Sequence, residues 1–542
     1  MSLKQNLQNH LEKQLKTKIT LEIPQNQAFG DYSIHSYKLK IPPDKLQNQL
    51  NLPDYIEKTE IKGPYLNFFI NKQKLAEITI KKILKEKDKY GSNNEGKNKK
   101  ALIEHTSINP NASPHLGRAR NAILGDSIVR ILKFQGYKTE THYYVNNIGK
   151  QIAMLVLASE NKKPSFKQLL SLYIEFNKKL ENNKEMEKKV FELLNKLENK
   201  DKKTIKTFKN IVSVCIKGQS EILSNLGIKY DFFDYESKFL FNKDTENILK
   251  ELNKTGKIFK DKEGRTTADL RGFSLSMENP YLPLTRSDSS SMYLLRDLAY
   301  TIWKEKKAKH RNIIILGEDQ KLYFQQLKAL LSLLNHKAPE AIHYSFVLLP
   351  SGKMSTRRGE VVLLEDFMEE IRRKASEEII KRHKKSIEKL SKIIGYGALK
   401  FAILKVSPDK NITFEMEKAL SFEGETAPYI QYAYTRANSI LKKLKMQKNS
   451  KFNINTEHEH KLVKKLSEFP EIIEYTTANL HPHIIANYSV ELAKIFNEFY
   501  HNCPVIQEKE PLKSARASLV KASRQVLKNS LSLLGIACPE KM

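Results

Sequence analysis

The segment that most restricts the possible fold runs from Ala101 to about residue 145. "ALIEHTS", starting at Ala101, has the pattern of a short buried strand, and residues 115–135 place apolar side chains at a helical period. Gly136 then ends the helical pattern, and "THYYV" has the pattern of a second strand. A strand, a helix and a strand in this order predict the start of a parallel α/β sheet.

A second piece of the same kind lies far along the chain. Residues 311–317, "RNIIILG", have the pattern of a buried strand, and a helix is predicted at 322–335. Between the two pieces, residues 160–230 are helical and rich in Lys and Glu, and residues 231–285 contain short strands and turns. We therefore expect two halves of one Rossmann-like sheet, split by a mainly helical insertion at about 160–285.

The remaining segments predict further domains, since 542 residues are too many for one core. Residues 1–84 have the pattern of a small α+β domain, with "IKGPYLNFFIN" as one alternating strand, and residues 85–100 that of a charged linker. The sheet domain would span 101–394, and residues 395–542 are almost wholly helical, in lengths suited to a bundle. The predicted fold class is multidomain α/β plus all-α.

Composition excludes several classes of protein. No apolar run approaches the roughly 20 residues that a membrane span needs, and the first residues lack the apolar core of a secretory signal. Cys215, Cys503 and Cys538 lie far apart, so we expect no disulfide framework, no structural zinc and a cytoplasmic location. The net charge of +31 favours a partner rich in phosphate, although a general preference for Lys would give the same value.

The bend between the first strand and its helix, "SINPNASPHLGR", predicts a phosphate site. Open α/β sheets bind ligands where strands end, and the first N–H groups of a helix are unpaired and favour an anion. Gly117 allows close approach of the backbone, His115 can donate a hydrogen bond and Arg118 supplies a positive fork. On this bend alone, an ordinary loop with an incidental histidine is an equal alternative.

A basic loop, "LPSGKMSTRRGEVV", is the second candidate for phosphate chemistry. A turn presents Lys353, Ser355, Arg357 and Arg358 together, and such a loop can neutralise charge that develops during nucleotidyl transfer. Taken by itself, the loop has the alternative interpretation of a solvated basic turn.

Together the two motifs resemble those of class I aminoacyl-tRNA synthetases. "HLGR" (115–118) is similar to their HIGH motif, and "KMSTR" (353–357) is similar to their KMSKS motif. The resemblance sharpens to the arginyl-tRNA synthetase family, because "YVNNIGKQIAML", "TRSDSSSMYLLRDLAY", "LGEDQKLYFQQL" and "APYIQYAYTRANSIL" follow in that family's order. Residues 1–84 look like its N-terminal, tRNA-contacting domain, and the C-terminal helices look like its anticodon-binding domain. Only the insertion has no clear match.

The resemblance implies a cytoplasmic, monomeric arginine–tRNA ligase that uses ATP and Mg²⁺. It would form arginyl-adenylate from L-arginine and transfer the arginyl group to the 3′ end of tRNA(Arg). The residues implied to bind ATP or stabilise its reacting phosphates are His115, Gly117, Arg118, Gly317, Asp319, Lys353, Met354, Ser355 and Arg357.

An arginine pocket can also be argued from spacing. Tyr293 and Asp297 are four residues apart on one predicted helix, so a phenol and a carboxylate could share a guanidinium. The alternative is that Asp297 pairs with Arg296 or Lys304. Glu104, at the end of the first strand, could add a second carboxylate. By resemblance, Ser107, Asn109, Arg118 and Gln320 line the same pocket.

The C-terminal helices contain a cluster of aromatic side chains with one cation, Tyr429, Tyr432, Tyr434 and Arg436. Such side chains suit stacking and phosphate contact with a single-stranded anticodon loop. Aromatic residues at helical spacing are also common in cores, and for at least two of these tyrosines we prefer that interpretation.

Two departures from the family pattern leave rival interpretations open. Arg118 replaces the second histidine of the first motif, and Ala112 replaces a lysine that arginyl enzymes often carry. We interpret this as a relocated charge, with Arg118 making the phosphate contact. The rivals are a tRNA-binding protein that has lost its chemistry and a synthetase for another amino acid such as cysteine. The intact "KMSTR" motif and the acidic pocket argue against the two rivals respectively.

Overall fold

The computed structural model describes residues 2–160, 162–181, 183–276, 278–288, 290–348, 350, 362–383, 387–444 and 454–542. Lys353, Met354, Ser355 and Arg357 therefore lie outside the described residues. The chain forms two compact units. One comprises 1–95, 378–401 and 417–542, and the other comprises 96–377 and 402–416.

The first unit begins with a small α+β domain whose antiparallel sheet has the strand order β1-β3-β2. Its elements are α1 (Leu3–Leu15), β1 (Tyr32–His35), α2 (Pro43–Gln49), β2 (Ile56–Lys62), β3 (Tyr65–Ile70) and α3 (Lys72–Glu86). The prediction of one strand over "IKGPYLNFFIN" is wrong, because β2 and β3 form a hairpin. Gly63 has a φ of 56° and forms the turn with Pro64, which lacks a donor for a continuous ladder.

The second unit is built on a five-stranded parallel sheet of order β11-β10-β4-β5-β6. The strands of this sheet and five strands outside it are β4 (Lys100–Glu104), β5 (Lys138–Val145), β6 (Phe232–Tyr235), β7 (Ile258–Lys260), β8 (Thr266–Asp269), β9 (Tyr281–Pro283), β10 (Arg311–Gly317), β11 (Glu340–Tyr344), β12 (Val347–Leu348) and β13 (Ile412–Thr413). The predicted α/β fold is confirmed, since β4 and β10, the strands of the two predicted pieces, are direct neighbours.

The helices of this unit connect the strands and form the insertion. They are α4 (Leu116–Phe134), α5 (Lys150–Ala158), α6 (Phe166–Leu180), α7 (Lys184–Glu198), α8 (Lys202–Asn225), α9 (Glu236–Phe241), α10 (Asp244–Asn253), α11 (Tyr293–Ala308), α12 (Lys321–Leu333) and most of α13 (Leu364–His383). Helix α4 follows β4 and α12 follows β10, so both begin where a central strand of the sheet ends.

Strand β6 lies inside the segment that the sequence pattern assigned to the insertion. It pairs in parallel with β5, with His142 opposite Phe232, and it forms one edge of the sheet. An edge strand of four residues carries no continuous apolar run, so hydrophobic periodicity could not identify it. The chain thus returns to the sheet before Glu236.

The first unit is completed by helices, as the sequence pattern predicts. They are α14 (Glu388–Leu404), α15 (Met416–Leu420), α16 (Ala427–Lys442), α17 (Glu457–Asn479), α18 (His483–Asn502) and α19 (Leu512–Leu533), although α14 and α15 also reach into the second unit. Helix α3 packs against α17 and α19. Tyr90, in the segment predicted as a linker, is buried, and its hydroxyl donates to the carbonyl oxygen of Leu466 at 2.9 Å. In the part of the chain that the structure describes, no helix is long and apolar enough to cross a membrane.

Candidate active site

Two neighbouring cavities lie where β4 and β10 end. The first, of about 220 Å³ and here called the basic cavity, is lined by His115, Gly117, Arg118, Gly317, Asp319, Tyr344, Phe346, Val347 and Leu348. The second, of about 430 Å³ and here called the acidic cavity, has Glu104, Glu236 and Asp297 in its wall. Asp319 lines both cavities, so a ligand in one lies beside a ligand in the other. A larger cavity of about 1340 Å³, among α5, α7 and α8, contains none of the predicted site residues.

His115 stands at the start of α4 and faces the basic cavity. It is the residue before the first helical turn, in extended conformation, and its side chain does not cap the helix. Its buried Nδ1 atom has no hydrogen-bond partner among the described residues. Burial, reinforced by the charge of Arg118, lowers the pKa of His115 to about 4. The imidazole is therefore neutral at pH 7, and Arg118 is the cation of this wall.

The described residues on both sides of the "KMSTR" segment reach the start of α4. Before it, Phe346, Val347 and Leu348 line the basic cavity. After it, the Leu116 N–H donates to the carbonyl of Val362 at 3.2 Å, and the Leu364 N–H donates to the carbonyl of Pro114 at 2.8 Å. The described residues that flank this segment in the sequence thus lie beside the start of α4.

Asp297 lies on α11 in the wall of the acidic cavity. Burial raises the pKa of its carboxyl, and the Tyr323 hydroxyl donates a hydrogen bond to its Oδ2. The two cations that sequence offered as partners are engaged elsewhere. Arg296 Nε lies 3.0 Å from Glu236 Oε1, and Lys304 forms an ion pair with Glu104.

The other residues predicted for arginine lie around the same cavity, with one exception. Tyr293, the first residue of α11, is 43% exposed and lines the cavity beside Asp297. The further lining residues predicted from the sequence are Glu104, Ser107, Asn109 and Gln320. Arg118 lines the basic cavity instead.

Glu236 is a residue of this site that sequence reasoning missed. It is the first residue of α9, directly after the edge strand β6, and it is almost fully buried in the wall of the acidic cavity. Burial raises the pKa of its carboxyl to about 7, against the opposing effect of the Arg296 charge. Recognition of "FFDY" as a sheet strand would have found it, because residues after parallel strands face the ligand side of a sheet.

The residues predicted to contact tRNA lie on α16 in the other unit. The three tyrosines are half-buried. Arg436 donates to Asn497 Oδ1 at 2.6 Å, and its guanidinium lies 4.9 Å from the ring centre of Tyr432 and 4.5 Å from that of Tyr500. This cluster therefore combines a half-buried cation with aromatic faces.

Comparison with known proteins extends the sequence resemblance. Residues 79–416 match the family model for the catalytic domain of "tRNA synthetases class I (R)", residues 430–542 match the "DALR anticodon binding domain", and residues 1–70 match the "Arginyl tRNA synthetase N terminal domain". The chain is 37% identical over 575 residues to the arginine–tRNA ligase of Methanocaldococcus jannaschii, covering 100% of both chains. It is 39% identical over 549 residues to that of Methanosphaera stadtmanae, covering 97% of this chain and 95% of the relative.

A solved structure shows the same fold. The arginyl-tRNA synthetase of Thermus thermophilus superimposes with a TM-score of 0.85 at 24% sequence identity, and 100% of each chain is covered.

Proposed function

The chain belongs to the arginyl-tRNA synthetase family of class I aminoacyl-tRNA synthetases, and from this premise we propose that its two cavities activate L-arginine with ATP. As an arginine–tRNA ligase, the enzyme forms arginyl-adenylate and diphosphate, and then transfers the arginyl group to the 3′ end of tRNA(Arg), releasing AMP. The acidic cavity holds arginine and the basic cavity holds ATP.

The observation that carries this assignment is the pairing of the two cavities. Asp297, Glu236 and Glu104 line one cavity, and a planar guanidinium is the cation best matched to carboxylates by paired hydrogen bonds. Lys304 already neutralises Glu104, so Asp297 is the carboxylate left for the substrate, with Glu236 shared between Arg296 and the substrate. Tyr293 closes the pocket from its exposed side.

The first reaction step follows from this placement. The arginine carboxylate oxygen attacks the α-phosphorus of ATP, a new P–O bond forms, and the bond to the leaving diphosphate breaks. Neutral His115 donates a hydrogen bond to phosphate oxygens, while the Arg118 guanidinium and the positive end of the α4 helix dipole supply positive charge. Lys353 and Arg357 are assigned to the leaving diphosphate by resemblance. The catalysis rests on positioning and charge, without a covalent enzyme intermediate.

In the second step, a terminal ribose hydroxyl of the tRNA attacks the arginyl carbonyl and AMP leaves. Tyr429, Tyr432, Tyr434 and Arg436 are proposed to contact the anticodon arm, because they offer stacking faces beside a cation. We further propose that the enzyme acts as a cytoplasmic monomer.

Magnesium is proposed to bind as a complex with ATP. Among the described residues, no group of three or more His, Cys, Asp or Glu side chains is arranged to hold a metal ion, and Asp319 is the one carboxylate in the wall of the basic cavity. The donor set does not fit a metal held by the protein alone. Mg²⁺ commonly retains water and binds substrate phosphates, so we assign it to ATP and derive no step through it.

Charging of tRNA(Arg) with labelled arginine tests the proposal. The unaltered chain should form arginyl-tRNA and AMP. Arg118→Ala should slow charging by about 10²-fold, the effect of losing one preorganised donor at a transition state. Arg286→Ala, at an exposed arginine outside both cavities, is the matched control and should charge normally. An unaltered chain that binds tRNA(Arg) without charging it would contradict the proposal.

A further inference from the structure

Two consecutive buried residues of α4 form hydrogen bonds to the chain segments that make up the walls of the two cavities. Neither residue is among the described residues that line a cavity. They are Arg120, which is fully buried, and Asn121, which is 4% exposed. We propose that Arg120 and Asn121 are positioning residues for arginine activation, with Arg120 fixing the ATP side and Asn121 fixing the arginine side. This inference rests on the proposed function of the two cavities.

Arg120 binds the segment that forms one wall of the basic cavity. Its Nη1 donates to the carbonyl of Ser345 at 2.7 Å and to that of Lys410 at 2.8 Å, and its Nη2 donates to the carbonyl of Ser407 at 3.0 Å. Ser345 lies between Tyr344 and Phe346, which both line the cavity. One planar guanidinium thus joins α4 to two other segments, one at Ser345 and one at 407–410. A lysine ammonium on a flexible stem could not do this with the same geometry.

The same wall is tied to the turn at the end of β10. The hydroxyl of Ser345 lies 2.5 Å from Glu318 Oε2 and 2.7 Å from the carbonyl oxygen of Asp409. Glu318 precedes Asp319, the residue shared by both cavities. Displacement of Ser345 would therefore move two sides of the basic cavity together.

Asn121 acts on the other cavity. Its Oδ1 accepts from the Thr106 N–H at 2.6 Å, and its Nδ2 donates to the carbonyl of Ile315 at 2.9 Å. The amide therefore bridges the ends of β4 and β10.

The turn that Asn121 holds is strained. Thr106 has a φ of 78°, which a β-branched residue rarely adopts, and Ser107 also has a positive φ, of 41°. Such a conformation persists only where the surroundings hold it, and the turn leads directly into Ser107 and Asn109 in the wall of the acidic cavity.

Because Arg120 and Asn121 both lie on α4, this helix connects the two cavity walls to the phosphate contacts. The same helix starts at His115 and Arg118, so one rigid element sets both substrate walls relative to the phosphate contacts. In-line attack requires the arginine carboxylate and the α-phosphate to be aligned, and a misplacement of about 1 Å costs about 10²-fold in rate.

The test separates the two roles in the full-length protein. ATP–diphosphate exchange with tRNA present gives kcat and the KM of each substrate, and isothermal titration gives the Kd of ATP and of arginine. Arg120→Lys should raise the KM and Kd of ATP by about tenfold and lower kcat by about 10²-fold, with the arginine values changed less than about twofold. Asn121→Ala should raise the KM and Kd of arginine by about tenfold and leave the KM and Kd of ATP within about twofold of those of the unaltered protein.

A second variant and a matched control guard against simple loss of folding. Asn121→Asp keeps the acceptor for Thr106 but sets a buried carboxylate oxygen against the carbonyl of Ile315, so it should change the KM and Kd of arginine in the same direction and at least as much as Asn121→Ala. Arg130→Lys makes the identical substitution on the same helix, at an arginine that binds Asp126 and the carbonyl of Gly227 away from both cavities. It should leave all kinetic values unchanged. Thermal unfolding of each variant is recorded alongside.

The proposal would be supported if Arg120→Lys changes mainly the KM and Kd of ATP while Asn121→Ala changes mainly those of arginine. Equal changes in the KM and Kd of ATP and arginine in each variant, or normal kinetics in all variants, would overturn it. Failure of the proposed function would look different, because the unaltered protein would then show no arginine-dependent exchange. The split in Kd would still decide the positioning roles in that case.

Discussion

At the scale of single residues, the acidic cavity is a set of carboxylates whose burial is offset by specific partners. Lys304 neutralises Glu104, Arg296 lies against Glu236, and the Tyr323 hydroxyl donates to Asp297. Burial raises the pKa of both Asp297 and Glu236, which means that their neighbours within the protein do not fully compensate the charged forms. In the proposed complex, the guanidinium of the substrate supplies this positive charge.

Asp297→Asn tests this directly. The substitution keeps the shape and the acceptor for Tyr323 but removes the charge, so kcat/KM for arginine should fall by about 10²–10³-fold, or about 3–4 kcal/mol. The KM of ATP should barely change, because Asp297 lies only in the acidic cavity. Glu340→Gln, at a partly exposed carboxylate on β11, is the control. Near-normal kcat/KM for arginine in Asp297→Asn would place the substrate elsewhere.

The pH dependence of arginine binding should report Glu236. The pKa of Glu236 is raised to about 7, so this carboxyl is increasingly protonated below pH 7 and must lose its proton when the guanidinium binds. Arginine affinity should therefore fall as pH decreases through about 7, by at most about tenfold per pH unit for this one proton. In Glu236→Gln this pH dependence should be weaker, with lower affinity at pH 8. An unchanged pH profile in Glu236→Gln would contradict the assignment.

At the scale of elements, α4 must lie very close to the end of β4. A Cβ built on Gly125 would lie 2.2 Å from Cγ of His105, which is itself buried. Glycine inside a helix is normally unfavourable compared with alanine. Here the absence of a side chain lets the helix approach the strand that leads into Thr106.

Gly125→Ala should therefore destabilise the protein, against the usual trend for helices. The overpacking should lower the free energy of unfolding by roughly 1–3 kcal/mol, measured as a lower urea midpoint. Gly149→Ala is the comparison, because there the nearest atom is the end of the flexible Asn146 side chain at 3.1 Å. A rise in the urea midpoint for Gly125→Ala would show that α4 and β4 are not packed this closely.

How much of this arrangement the sequence could predict depends on the range of the signal. Local periodicity was sufficient for β4, α4, β5 and β10, and the spacing of Tyr293 and Asp297 was sufficient to place both at one cavity. The short edge strand β6 has no periodic signal, so Glu236 was missed. The contacts of Arg120 reach residues more than 200 positions away, which no local pattern encodes.

At the scale of the whole molecule, the net charge of +31 favours binding of a phosphate-rich partner such as tRNA. Contacts between basic side chains and phosphates release counterions, so affinity should fall linearly on a plot of log affinity against log salt concentration. Between about 50 and 200 mM salt, tRNA(Arg) binding should weaken by at least about 10²-fold. Arginine binding in the same protein is the internal control, since buried pairs are screened much less. Salt-insensitive tRNA binding would contradict an electrostatic interface.

The boundary between the two compact units also determines where a C-terminal deletion should begin. Residues 402–416 belong to the unit that contains the sheet, where β13 pairs with β12 and Lys410 binds Arg120. The sequence-based boundary at residue 395 falls inside α14, because a helical pattern does not reveal which unit each turn of a helix packs against. A deletion that removes the C-terminal helices should therefore begin after residue 416.

We propose above all that the acidic cavity recognises the charge of arginine beside an ATP site. The most direct measurement is ATP–diphosphate exchange by the unaltered enzyme, with tRNA(Arg) present, comparing arginine with citrulline. Citrulline has nearly the same shape but a neutral end, so it brings no positive charge to Asp297 and Glu236. We expect exchange with arginine and a kcat/KM at least about 10³-fold lower with citrulline. Comparable exchange with both amino acids, or no exchange with arginine, would contradict it.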